Sequence, residues 1–125
     1  MPEAPVSWGE LIDKLTILEL KSERLTEASA LANVRRELAA LRKVAGAAAD
    51  DAGLAALKAA LARLNAALWD IENDIRALDA AGDFGPGFVE LARAVYRTND
   101  ERAAVKRQIN LALGSDLVEE KSYRK

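Results

Sequence analysis

The sequence predicts an all-α fold, an antiparallel bundle of two helical hairpins. Three observations predict it. The chain of 125 residues holds 26 Ala and 18 Leu against only 3 Pro and 7 Gly, and Ala and Leu are strong helix formers. Apolar residues recur at alternating steps of three and four, the spacing of one helix face. The Gly, Pro and Asp clusters that interrupt this periodicity fall where helices would start and stop. We expect helices over roughly 8–27, 30–45, 52–81 and 87–113, in one domain spanning 1–125. An arm precedes them at 1–6 and a polar tail follows at 115–125.

The first helix has a defined start. Ser7 and Glu10 have the capping-box spacing, and Val6 and Leu11 occupy the positions of a hydrophobic staple. Trp8, Leu11, Leu15, Leu18, Ser22 and Leu25 then form a 3-4 stripe, which Ile12, Ile17 and Leu20 widen. The second stripe is Leu31, Val34, Leu38, Leu41 and Ala45. It is out of phase with the first, so a break is expected near 26–30, where Thr26 or Ser29 caps a new helix. One long bent helix is the alternative.

Gly46 ends the second segment, and Asp50 or Asp51 caps the third. The third stripe is Leu54, Leu57, Leu61, Leu64, Leu68, Ile71, Ile75 and Leu78, an unbroken coiled-coil-like seam. Gly82 stops it. Residues 83–87 read as a tight turn, with Pro86 at the first position of the fourth helix, where its missing N–H costs nothing. At 1.5 Å per residue the third and fourth helices each span about 40 Å, and the first two only about 25–30 Å. The shorter pair does not cover the longer hairpin, so the overhanging apolar surface is expected to be buried in a homodimer.

The fourth helix carries a polar break. Its seam reads either through Leu91, Thr98 and Val105 or through Ala92, Asn99 and Lys106, and both phases put Arg102 in the middle. A buried guanidinium needs a carboxylate. Residues 50–83 sum to −4 and 93–125 to +3. Folding the hairpin about residue 84 places Arg97 and Arg102 opposite Asp70, Glu72 or Asp74. Thr16, Glu19 and Ser22 of the first helix could join that level. Such a layer fixes register and orientation in helical assemblies. The competing reading is a pocket for a small anion, with Arg97 and Arg102 as charge partners, Trp69 or Tyr96 as a wall, and Glu72, Thr98 and Asn99 as polar neighbours.

Several functional classes are excluded or weakened. With no His and no Cys, the usual zinc sites, Cys nucleophiles, Ser-His-Asp triads and disulfides are ruled out. A net charge of −2 argues against a large nucleic-acid-binding surface. The small basic patch at Arg35, Arg36, Arg42 and Lys43 is diluted by Glu37 and has no aromatic neighbour, as on a solvated face. No signal peptide or membrane span is evident, so a cytoplasmic protein is expected. No cofactor is implied. A metal-dependent nucleotide hydrolase is the enzymatic alternative. Glu10 and Asp13 have E-x-x-D spacing, and Asp70 and Asp74, one turn apart, could add oxygen ligands. A helical mutase acting on an anionic metabolite would instead use Arg97, Arg102 and Lys106.

Longer motifs carry a resemblance. They run from Val6 to Lys21, Leu31 to Leu38, Trp69 to Arg76, Phe88 to Arg102 and Leu113 to Tyr123. Together they resemble a family of small bacterial proteins known only as a domain of unknown function, across nearly the whole chain except about 43–63. The resemblance implies no activity, and at most a link to surface-polysaccharide metabolism. Its motifs include the polar run 96–102 and the tail, which implies that Leu117 and Tyr123 dock on the bundle or on a partner. The function expected is that of a non-catalytic binding or scaffold protein, a homodimer whose partner is a protein or a small anionic ligand.

Overall fold

The structure is a computed structural model that describes residues 1–114. Among these residues four α-helices form a helical bundle: α1 (Trp8–Arg24), α2 (Ala28–Ala45), α3 (Ala55–Ala80) and α4 (Pro86–Leu113). No strand occurs among the described residues. The expected Leu117 and Tyr123 contacts lie outside them.

Half of the expected capping box forms. Ser7 Oγ accepts from the Glu10 N–H at 3.2 Å, while the Glu10 carboxylate reaches away to Lys106 Nζ at 2.7 Å. The staple does not form as expected, because Val6 remains 57 % exposed. The phase break between the first two stripes is real. Leu25 is extended at ψ 141°, so α1 ends at Arg24 rather than near residue 27, and the two helices are not one bent rod. Glu27, rather than Thr26 or Ser29, caps α2 by accepting from the Ser29 and Ala30 N–H groups. Those backbone bonds hold its carboxyl below its ordinary value of 4.5. Between α2 and α3 the chain makes two 3₁₀ turns, Gly46–Asp50 and Ala52–Leu54, so α3 starts three residues later than expected. Asp51 accepts from the Gly53 N–H and caps the second turn. Gly82, at φ +68°, supplies the left-handed residue that reverses the chain after α3.

α3 and α4 are antiparallel across that turn. α1 lies against this hairpin, running with α3 and against α4: Asp13 and Thr16 meet Asn65 while Arg24 meets Asp70, whereas Gly9 meets Asn110 and Asp13 meets Arg102. The main neighbour of α2 is α1. The core therefore forms around α1. Leu11, Ile12, Leu15 and Leu18 are buried with Leu38 and Ala45 of α2, Leu61 of α3 and Ile109 of α4. Of the eight seam positions on the third segment, only Leu54 and Leu61 are fully buried. From Ala66 to Val105 no residue is buried, so the tip half of the hairpin has no core of its own.

Candidate functional site

The charged and amide side chains in the interior are concentrated where α1 crosses the hairpin. α1 brings Gly9, Asp13 and Thr16 onto its hairpin side, at i, i+4 and i+7, interleaved with core residues. Asp13 is 1 % exposed and Thr16 2 %. Arg102 grips the Asp13 carboxylate with two donors: Nε reaches Oδ1 at 2.9 Å and Nη2 reaches Oδ2. Asn65 Nδ2 donates to Asp13 Oδ1 and to Thr16 Oγ1, each at 2.9 Å, and Thr16 Oγ1 donates to the Asp13 carbonyl at 2.7 Å. Asn99 Oδ1 accepts a longer bond of 3.5 Å from Arg102. This is a two-donor guanidinium–carboxylate fork whose remaining acceptors are filled by an amide and a hydroxyl, as a buried charge requires.

One turn further along α4 the same logic repeats. Lys106, 7 % exposed, holds Glu10, and the Gly9 N–H donates to Asn110 Oδ1 at 2.6 Å. The two backbones approach so closely here that a Cβ on Gly9 would overlap the Lys106 carbonyl and stand 2.9 Å from Asn110 Oδ1. No buried side-chain nitrogen or oxygen among the described residues lacks a partner.

The expected site residues are therefore divided. Arg102 and Asn99 belong to the polar cluster, but the carboxylate facing Arg102 is Asp13 of α1, not Asp70, Glu72 or Asp74 of α3. Asp70 pairs with Arg24 at 2.8 Å, and Glu72 with Arg76 at 3.7 Å. Arg97 does not reach α3. It bonds Glu90 on its own helix at 3.3 Å, and its guanidinium lies over the exposed ring of Tyr96. Thr98 is half-buried. Trp69 and Glu72 line a groove of about 270 Å³ between α1 and α3, floored by Ile17, Leu20 and Asn65, and Arg24 stacks on the indole at 5.8 Å. Glu19, expected at the polar level, instead accepts from Lys58 and Arg42 at the rim of a second groove of about 340 Å³.

The carboxylates of the metal reading do not converge. Glu10 is paired with Lys106, Asp13 with Arg102 and Asp70 with Arg24, while Asp74 is exposed. Among the described residues no group of three or more carboxylates is placed to share a metal ion.

Sequence reasoning missed Asn65 and Asn110 altogether and assigned Gly9 no role. A signal existed for Asp13: an acidic residue set between Ile12 and Leu15 on a face that is otherwise apolar. No helix among the described residues is long and apolar enough to cross a membrane. No curated protein and no solved structure matches the chain. A family model does match, over residues 3–125, and the chain belongs to the family of unknown function DUF6165.

Proposed function

We propose that this chain is a non-catalytic helical binding or scaffold protein that works as a homodimer, with a protein as its further partner. The observation that carries the reading is the imbalance between the two halves of the hairpin. Near α1, the buried charges are spent on one another, so the groups that would do chemistry already have structural employment. Toward the tip, Leu68, Ile71, Ile75 and Leu78 of α3 and Phe88, Leu91 and Val95 of α4 are all only partly buried. Phe84, packed edge-on against Phe88 at 5.2 Å, is 58 % exposed. Contiguous apolar surface of this kind marks an interaction site.

A small anionic ligand is the second partner class. It gains less support, because Arg97 points away from Arg102 and the latter is committed to Asp13. The enzymatic alternative needs Glu10, Asp13, Asp70 and Asp74 on one metal, and their separation weighs against it. Sedimentation velocity tests the dimer over about 1 to about 100 µM, a range that covers micromolar association. The expected result is a species of twice 13.5 kDa that dissociates on dilution. A mass of 13.5 kDa throughout overturns the homodimer.

A further inference from the structure

We infer that the groove between α1 and α3 binds an uncharged, hydroxyl-bearing ring compound, the chemistry of a short sugar. The inference goes beyond the homodimer reading and does not depend on it. On α3, Asn65, Leu68, Trp69, Glu72 and Arg76 follow one another at steps of three, one, three and four, so they share one helix face. Ile17 and Leu20 of α1 run beside them, and the two helices bound a groove of about 270 Å³.

One oxygen carries the inference. Asn65 is 6 % exposed. Its Nδ2 donates to Asp13 Oδ1 and to Thr16 Oγ1. A carboxylate only accepts, so the contact with Asp13 fixes which end of the amide is nitrogen. Among the described residues nothing donates to the other end, Asn65 Oδ1. No enclosed side-chain oxygen among the described residues lacks a partner, so this one is not enclosed and opens into the groove that Asn65 lines. Such a deep-set acceptor takes its hydrogen bond from water, or from a ligand O–H or N–H that displaces the water.

The rest of the lining says what carries that donor. Ile17, Leu20, Leu68 and Trp69 are apolar and half-buried. The indole is fixed from outside the groove: Arg24 lies over it at 5.8 Å, is held by Asp70 at 2.8 Å, and is not part of the lining. A prepositioned aromatic surface suits a ring with an apolar face. Glu72 and Arg76 lie 3.7 Å apart with opposite charges, so the lining has no net charge to select an anion or a cation. Glu72 adds a second acceptor and Arg76 a donor, and a hydroxyl satisfies both because it donates and accepts. A sugar ring combines C–H bonds on its face with hydroxyls along its edge. The edge of a nucleobase mixes acceptors with its donors and would set some of them against Asn65 Oδ1 and Glu72. From Asn65 to Glu72 is about 10 Å along the axis, longer than one sugar ring and suited to two linked ones.

Saturation-transfer NMR on the full-length protein tests this, with cellobiose, maltose and lactose as probes and adenosine as the base-bearing comparison. At least one disaccharide should give a saturable signal by about 10 mM, strongest on its ring C–H protons. Trp69→Ala should weaken it about tenfold, the size of a lost stacking contact, and Glu72→Ala about threefold. Neither residue touches Asp13, and circular dichroism confirms that each variant is folded. The per-O-methylated disaccharide keeps its rings but donates nothing, and it should not bind. The absence of saturable binding by all three disaccharides overturns the inference. Binding that survives both substitutions overturns the site, and equal binding of the methylated sugar overturns the role of Asn65 Oδ1. Adenosine binding without disaccharide binding overturns the sugar assignment.

Discussion

Replacing Asp13 by alanine removes the buried carboxylate that Arg102 grips on α1, and an acceptor from Asn65 as well. Asp13 is 1 % exposed and the Arg102 side chain 24 %, so water replaces little of what is lost. Breaking a buried pair by deleting one partner costs about 3–5 kcal/mol. The total stability of a domain of this size is about 5–15 kcal/mol, so about a fifth or more of it is at stake. The melting temperature should fall by roughly 10–20 °C at the usual slope for a chain of this length. Urea unfolding followed by circular dichroism at neutral pH measures the loss as a change of midpoint at constant slope. The companion variant is Asp13→Leu with Arg102→Met, an apolar pair of similar volume, which should regain most of the stability because both desolvation penalties vanish together. A loss under about 1 kcal/mol for Asp13→Ala, of the size found for exposed pairs, would refute the claim that this pair is buried and structural.

Other consequences follow from the same geometry. Gly9→Ala pushes a methyl group into the Lys106 carbonyl and should cost about 1–3 kcal/mol in the same urea assay, as overpacking does. Glu27 has a lowered carboxyl pKa, so its cap stabilises the folded state above 4.5 and is lost as the pH falls through the folded value. Glu27→Gln should therefore melt below wild type at neutral pH, with the difference closing in acid. Inorganic phosphate or magnesium should leave the melting temperature unchanged, because Arg102 already holds Asp13 and the four candidate metal carboxylates do not meet. A saturable rise abolished by Arg102→Met would reinstate the anion pocket.

Much of the fold was legible because it rests on local signals. The 3-4 stripes, the Ser7 cap, the phase break before residue 28 and Pro86 at the start of α4 are read within a few residues of one another. The polar layer was legible as a need, since Arg102 interrupts an apolar seam in either phase. Its partner was not legible, because hairpin arithmetic relates only α3 to α4. The contact that matters crosses 89 residues of chain, from α4 to Asp13. The same applies to Gly9: nothing local requires glycine within a helix, and the reason is a backbone on another element. Asn65 lies beside the leucine seam of α3, where an amide reads as surface until α1 covers it. The alternation of the third stripe overstated burial, because a repeat reports which face is apolar and not whether anything covers it.

The central claim is that the hairpin of α3 and α4, lacking a core toward its tip, is completed by association. Hydrogen–deuterium exchange at low and high protein concentration tests it most directly. The account predicts that amides between residues 66 and 105 become better protected as concentration rises, while those of α1 do not change. Exchange in that region that is rapid and independent of concentration would contradict it.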